Sequence, residues 1–131
     1  MKVWHIVNLI LIVLLLIGIC VAEEYVVSSS LSDIQDRCLQ IEQIVERDKT
    51  LKTTTLVLAV DNLDDNWKTD ESNLCFLVHH KNIQEIGQEI AKLKQYIAAD
   101  DVEAFRVSVE SIKMYCHGYL HFMGANLHNV L

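Results

Sequence analysis

The chain has 131 residues, with 18 Asp and Glu against 11 Lys and Arg, for a formal charge of −7 with histidines neutral. Such a surface argues against nucleic acid as a partner and against lying flat on anionic lipid. Pro is absent, Gly occurs only 4 times, and Leu, Ile, Val, Glu, Asp, Lys and Gln dominate. That composition favours long helices over turn-rich sheets, so the predicted class is all-α.

Val3 to Ala22 is almost unbroken apolar sequence that ends abruptly at Glu23 and Glu24. As a helix it would cover roughly 30 Å, the thickness of a bilayer's hydrocarbon core. Lys2 and the amino terminus lie on one side of this run and two carboxylates on the other, so positive-inside bias puts the short end in the cytoplasm and the body of the chain outside. Residues 1–22 are therefore read as a transmembrane anchor, with a cleaved secretory signal ending at Cys20-Val21-Ala22 as the alternative. In the second case the product is secreted. Ile19 before Cys20 breaks the small-residue requirement of a lipoprotein signal.

Residues 23–131 form one predicted extracytoplasmic α-helical domain, of charge −8 once Lys2 is set aside. Val27, Leu31, Ile34, Cys38, Ile41 and Val45 alternate spacings of four and three, the stripe of a first helix. It starts after the Ser28–Ser30 run or continues directly from the membrane helix. Asp48 to Thr50 mark a break. Leu56, Val60, Leu63, Trp67 and Leu74 define a second helix ending near His79 or His80, with the polar stretch from Asp64 to Asn73 as a place for a kink. Asn82 suits the N-cap of a third helix carrying Ile83, Ile86, Ile90, Leu93 and Ile97. Asp100 or Asp101 then caps a fourth, with Val102, Phe105, Val109, Ile112, Cys116, Tyr119 and Met123 on one face. A shift of about 52 positions lays the first pair of helices on the second, which predicts two stacked hairpins and hence an antiparallel four-helix bundle.

Trp67, the LVHH of Leu77 to His80, the LKQYI of Leu93 to Ile97, Asp100-Asp101 and the closing ANLHNVL of Ala125 to Leu131 carry a resemblance. The chain resembles an uncharacterised family, a domain of unknown function, of short membrane-anchored proteins from Gram-positive, mainly clostridial, bacteria. The resemblance implies a bacterial cell-surface location and a helical exported domain, and it brings no catalytic residues with it.

One constellation has chemical content. In an up-down-up-down arrangement the ends of helices two and four meet near the bilayer and bring together Cys75, His79 and His80 with Cys116, His117, His121 and His128. Cys75 and His79, like His117 and His121, are four apart and share a helical face, a spacing from which imidazole and thiolate can hold zinc or copper. The candidate metal set is thus Cys75, His79, Cys116, His117 and His121. The plainer account is that histidines near helix C-termini favour exposed carbonyls, and titration near neutrality gives the cluster a pH-sensing alternative. Three widely spaced exported cysteines without a CxxC pair read as small buried apolar residues rather than a disulfide framework. Adjacent Cys116 and His117 point about 100° apart, which disfavours a thiol nucleophile with its own base. Asp61, Asp64, Asp65 and Asp70 lack the Gly and Glu of a calcium loop and read as a solvated face. No Gly-rich phosphate loop, GxSxG or HExxH occurs.

These observations converge on a noncatalytic, membrane-anchored interaction or accessory module outside the cytoplasm. No resident cofactor is expected. Its expected partners are the membrane, through residues 3–22, and another envelope protein or a second copy. A metal-binding or pH-sensing ectodomain is the alternative.

Overall fold

The computed structural model describes residues 2–78 and 80–130, with side chains for 2–78 and 81–122. Four helices account for nearly all of it: α1 (Lys2–Asp48), α2 (Thr54–Leu77), α3 (His80–Ala99) and α4 (Val102–Val130). No strand occurs among the described residues. The helices pack as a bundle in which α1 touches α2 and α4, and α3 touches α2 and α4. Side-chain pairs mark two of these seams. Glu42 and Glu46 of α1 meet Lys113 and Arg106 of α4, while Asp61 and Trp67 of α2 meet Lys94 and Gly87 of α3. Asp70 of α2 lies close enough to Asp33 and Arg37 of α1 to feel both charges.

α1 is 47 residues long and passes through Ser28–Ser30 without a break. Of the two starts open to the first bundle helix, the continuous one holds. Residues 2–23 of α1 are exposed throughout, and burial begins at Val27. From there Val27, Leu31, Ile34, Cys38, Ile41 and Val45 are all buried, as their spacing predicts. They meet Leu56, Val60, Leu63, Trp67 and Leu74 of α2, Ile83, Ile86, Ile90 and Leu93 of α3, and Phe105, Val109, Ile112 and Cys116 of α4. Ile97, Val102 and Tyr119 pack at the edge of this core. Met123 lies outside the described side chains. Leu51, in the short link between α1 and α2, is also fully buried and closes the core at that end.

The helix ends follow local chemistry. Lys49 takes a left-handed conformation (φ 56°) after α1, and its amide donates to the Val45 carbonyl at 2.9 Å. The Thr53 hydroxyl accepts from the Leu56 amide at 3.4 Å and caps α2. The two aspartates between α3 and α4 divide the work: Asp100 (φ 55°) ends α3 in the left-handed region that Asp tolerates, while the Asp101 carboxylate accepts from the Ala104 amide at 3.0 Å and caps α4. Two expectations change. Asn82 is not an N-cap, because α3 already starts at His80; α2 ends at Leu77, with Val78 extended. The Asp64–Asn73 stretch stays helical throughout, and part of its charge is absorbed inside the bundle.

Asp64 shows how. Its side chain is 12% exposed rather than solvated, and it accepts from Lys68 and Lys94, each at 2.8 Å. Burial works against its ionised form, but the two lysine hydrogen bonds outweigh burial and hold the carboxyl below its ordinary range. Glu89 is likewise lowered, with burial opposed by hydrogen bonds from Lys92 and the Ser108 hydroxyl. A carboxyl depressed in the folded state stabilises the fold above its unfolded value and loses that contribution as pH falls. The melting temperature is therefore expected to drop as pH goes below about 4. Asp64→Asn should flatten that limb by of order 1 kcal/mol, since the lysine ends are half in water. Thermal melts across pH 2 to 7 check it, and an identical acid limb in Asp64→Asn would exclude this carboxylate as a contributor.

Candidate functional site

The described members of the predicted constellation lie on the carboxy-terminal halves of α2 and α4. On α4 the three-four spacing that turns Phe105, Val109 and Ile112 inward carries Cys116 into the core with them, and Cys116 is fully buried. One residue on, and about 100° round the helix, His117 is exposed. His121 is exposed one turn further, and the two imidazoles stack with ring centroids 6.4 Å apart and planes 19° from parallel. Cys75 is half-buried at the end of α2. His79 lies outside the described residues, as do the side chains of His80 and His128. Of the five candidate ligands, the structure thus brings His117 and His121 together on one face and turns Cys116 away from them. Among the described residues no group of three or more His, Cys, Asp and Glu side chains converges as a metal site would require.

Cys116 has a different neighbour. Burial pushes its thiol up to about 12, and the Cys38 thiol of α1 is raised to about 12, first by burial and then by the charge Cys116 would carry. Both cysteines lie in the one buried core, on the adjoining helices α1 and α4, as free thiols. The thiolate is the reactive form, so burial leaves both thiols far less available at neutral pH than an ordinary cysteine. Maleimide labelling of the folded chain, read by mass spectrometry, should modify Cys75 and spare Cys38 and Cys116 until denaturant is added. Labelling of Cys38 and Cys116 as fast as Cys75 would show the core to be open.

The α1–α4 seam is closed outside these thiols by ion pairs. Lys113 lies 2.8 Å from Glu42 and 2.9 Å from Glu110, Arg106 lies 2.8 Å from Glu46, and the Gln35 amide donates to the Lys113 carbonyl at 3.3 Å. Above the seam runs a groove of about 560 Å³ with Val45, Phe105 and Val109 as its floor. Its rim carboxylates, Glu42, Glu46 and Glu110, are each engaged in one of these pairs. The groove therefore presents shape and apolar surface more than free charge.

With this geometry in hand, residues 21–130 match the family described as a domain of unknown function, DUF4363. The chain belongs to the DUF4363 family. No curated protein and no solved structure matches it. The DUF4363 match begins within α1, two residues before the expected start of the domain at Glu23, and takes in all of α2 and α3 and α4 to its last residue.

In this DUF4363 chain the predicted stripes are absorbed by the core, and the exposed apolar surface is a different set. Val107 (62% exposed), Met114 (61%) and Phe122 (64%) stand on the outer side of α4, with Leu39 of α1 beside Met114 and His117 around a shared depression. They repeat at seven and eight residues, a second register on α4 offset from the buried one. A search for one apolar stripe per helix passes over it, because the stronger stripe satisfies the helical period first.

Proposed function

We propose that the chain is a single-pass membrane protein whose short amino-terminal end is cytoplasmic and whose residues 23–131 form an antiparallel four-helix bundle outside, acting as a noncatalytic interaction or accessory module. The observation that carries this reading is the division of α1. Its first part is long and apolar enough to span a membrane and none of it is buried by the protein, while its second part contributes a full core stripe. Exposed Trp4 and Tyr25 flank the apolar run 21 positions apart, roughly 31 Å along a helix, as interfacial aromatics flank a bilayer core. Secretion after cleavage is the alternative, in which the exported chain starts at Glu23.

The partner is another envelope or membrane protein, or a second copy, and the surface offered is the outer face of α4 with Leu39. An apolar strip of this kind fits an amphipathic or membrane-emergent helix. A photo-cross-linking residue at Met114, in native membranes, should capture a defined partner or a dimer. The same residue at Lys52, on the distal loop, should not. Capture at neither position would sink the interaction reading.

The stacked His117 and His121 support a second reading, a metal-binding or pH-sensing ectodomain that takes zinc or copper. Under it, either metal should raise the melting temperature of the full chain reversibly with chelator. Alanine at both histidines should abolish that rise and leave the metal-free melting temperature unchanged.

A further inference from the structure

Resting on the membrane-anchor reading, we infer that the base of the bundle, formed by the last turn of α2 and the first turn of α3 at the level of Tyr25, is seated in the headgroup layer of the same bilayer that holds α1. Two observations carry this. The first is height. α1 has no break between Ala22 and the first buried residue, Val27, so the core begins at a fixed distance above the apolar run. At about 1.5 Å per residue, Tyr25 stands roughly 5 Å and Val27 roughly 8 Å above Ala22. α1 and α2 pack against each other and are joined by a five-residue link, so Phe76, 22 residues after Thr54, comes level with about residue 26 of α1, at the start of the α1 core. Val78 closes α2 at that end. A headgroup layer is roughly 5–8 Å deep on each side, so a rigid α1 brings the end of α2 into it.

The second observation is chemical. Phe76 is 89% exposed, more than any other large apolar residue of the chain among the described residues, and it sits in the last turn of α2. Tyr25 is 75% exposed at the same end, and Lys81, also exposed, opens α3 next to them. Exposed aromatics with a cationic side chain at the level of the membrane boundary are the composition that partitions into headgroups, whereas the acidic body of the domain is repelled from anionic lipid. The covering partner for Phe76 is therefore the bilayer surface, and the flank and distal end of the bundle remain free for a protein. The anchor and the base hold the bundle at two points, which fixes its upright orientation.

The test uses the full chain in phosphatidylcholine vesicles, with and without a nitroxide on the lipid headgroup. Native Trp4 reports whether α1 is inserted, and Trp67 sits inside the bundle well above the base. In a Trp4→Phe background, single variants Phe76→Trp, Tyr25→Trp and Leu58→Trp report the base, the anchor boundary and the distal half of α2. All three positions are exposed, so the fold is expected to tolerate them. The expected result is quenching of Phe76→Trp and Tyr25→Trp to an extent comparable with Trp4, and none for Leu58→Trp. Quenching of Trp4 and Tyr25→Trp without quenching of Phe76→Trp would overturn the seated base and leave the anchor standing. Absence of quenching at Trp4 would overturn the anchor and the base together.

Discussion

Gly87→Ala is expected to destabilise the bundle, although alanine is the better helix former. A Cβ on Gly87 would meet the Trp67 Nε1 at 2.9 Å and its Cε2 at 3.6 Å. The indole is rigid and 2% exposed, so it cannot swing clear without opening the core. Overpacking of this kind costs about 1–3 kcal/mol, against a gain of roughly 1 kcal/mol from helix propensity. Trp67→Ala, which leaves a large cavity on the same seam, should cost about 3–5 kcal/mol. The informative experiment is the cycle. Trp67→Phe removes the ring that the new methyl would strike, along with a buried N–H that has no hydrogen-bond partner among the described residues, so its own cost is softened. In that background Gly87→Ala should change sign and stabilise by up to about 1 kcal/mol. Urea unfolding of the four chains, followed by circular dichroism, measures this. The same cost for Gly87→Ala in both backgrounds would mean that the indole is not what requires the glycine.

Two arginines in the apolar run, Ile12→Arg with Leu16→Arg, are expected to abolish stable membrane retention. Both positions are exposed, one turn apart near the middle of the run. Each arginine at a helix centre costs about 2.5–3.5 kcal/mol for insertion, so the pair removes roughly 5–7 kcal/mol of membrane preference. The bundle, whose buried positions start at Val27, should keep its helicity and melting behaviour. Carbonate extraction of cell membranes provides the readout: the parent chain stays in the pellet and the double variant does not. If the parent itself is extracted and its first residue is Glu23, the run is a cleaved signal and the secreted alternative holds. If the double variant stays in the pellet, something other than this helix holds the chain.

Much of the molecule was legible in the sequence because helical periodicity is a local signal. The six core positions of α1 and the five named on α2 are buried as their spacing requires, and Asp101 caps α4 through its own side chain. The errors are local competitions that periodicity cannot arbitrate. Asn82 has the chemistry of an N-cap, yet α3 starts two residues earlier. Asp64 falls in a polar run, yet Lys94, which shields it from water, is 30 residues away. The candidate cluster was only partly legible for the same reason. The spacing of His117 and His121 put them on one face, but only packing could show that Cys116 turns into the same core as Cys38, 78 residues distant.

The sequence by itself determined the all-helical class, the apolar run of a bilayer's thickness and which residues of each helix turn inward, since each of these depends on neighbours within one or two helical turns. Only the tertiary structure decided that α1 runs unbroken from that run into the bundle, that Trp67 needs a glycine opposite it, and that Val107, Met114 and Phe122 remain outside. Those outcomes depend on which helix faces which and at what height, and that is set by side chains meeting across helices from distant parts of the chain.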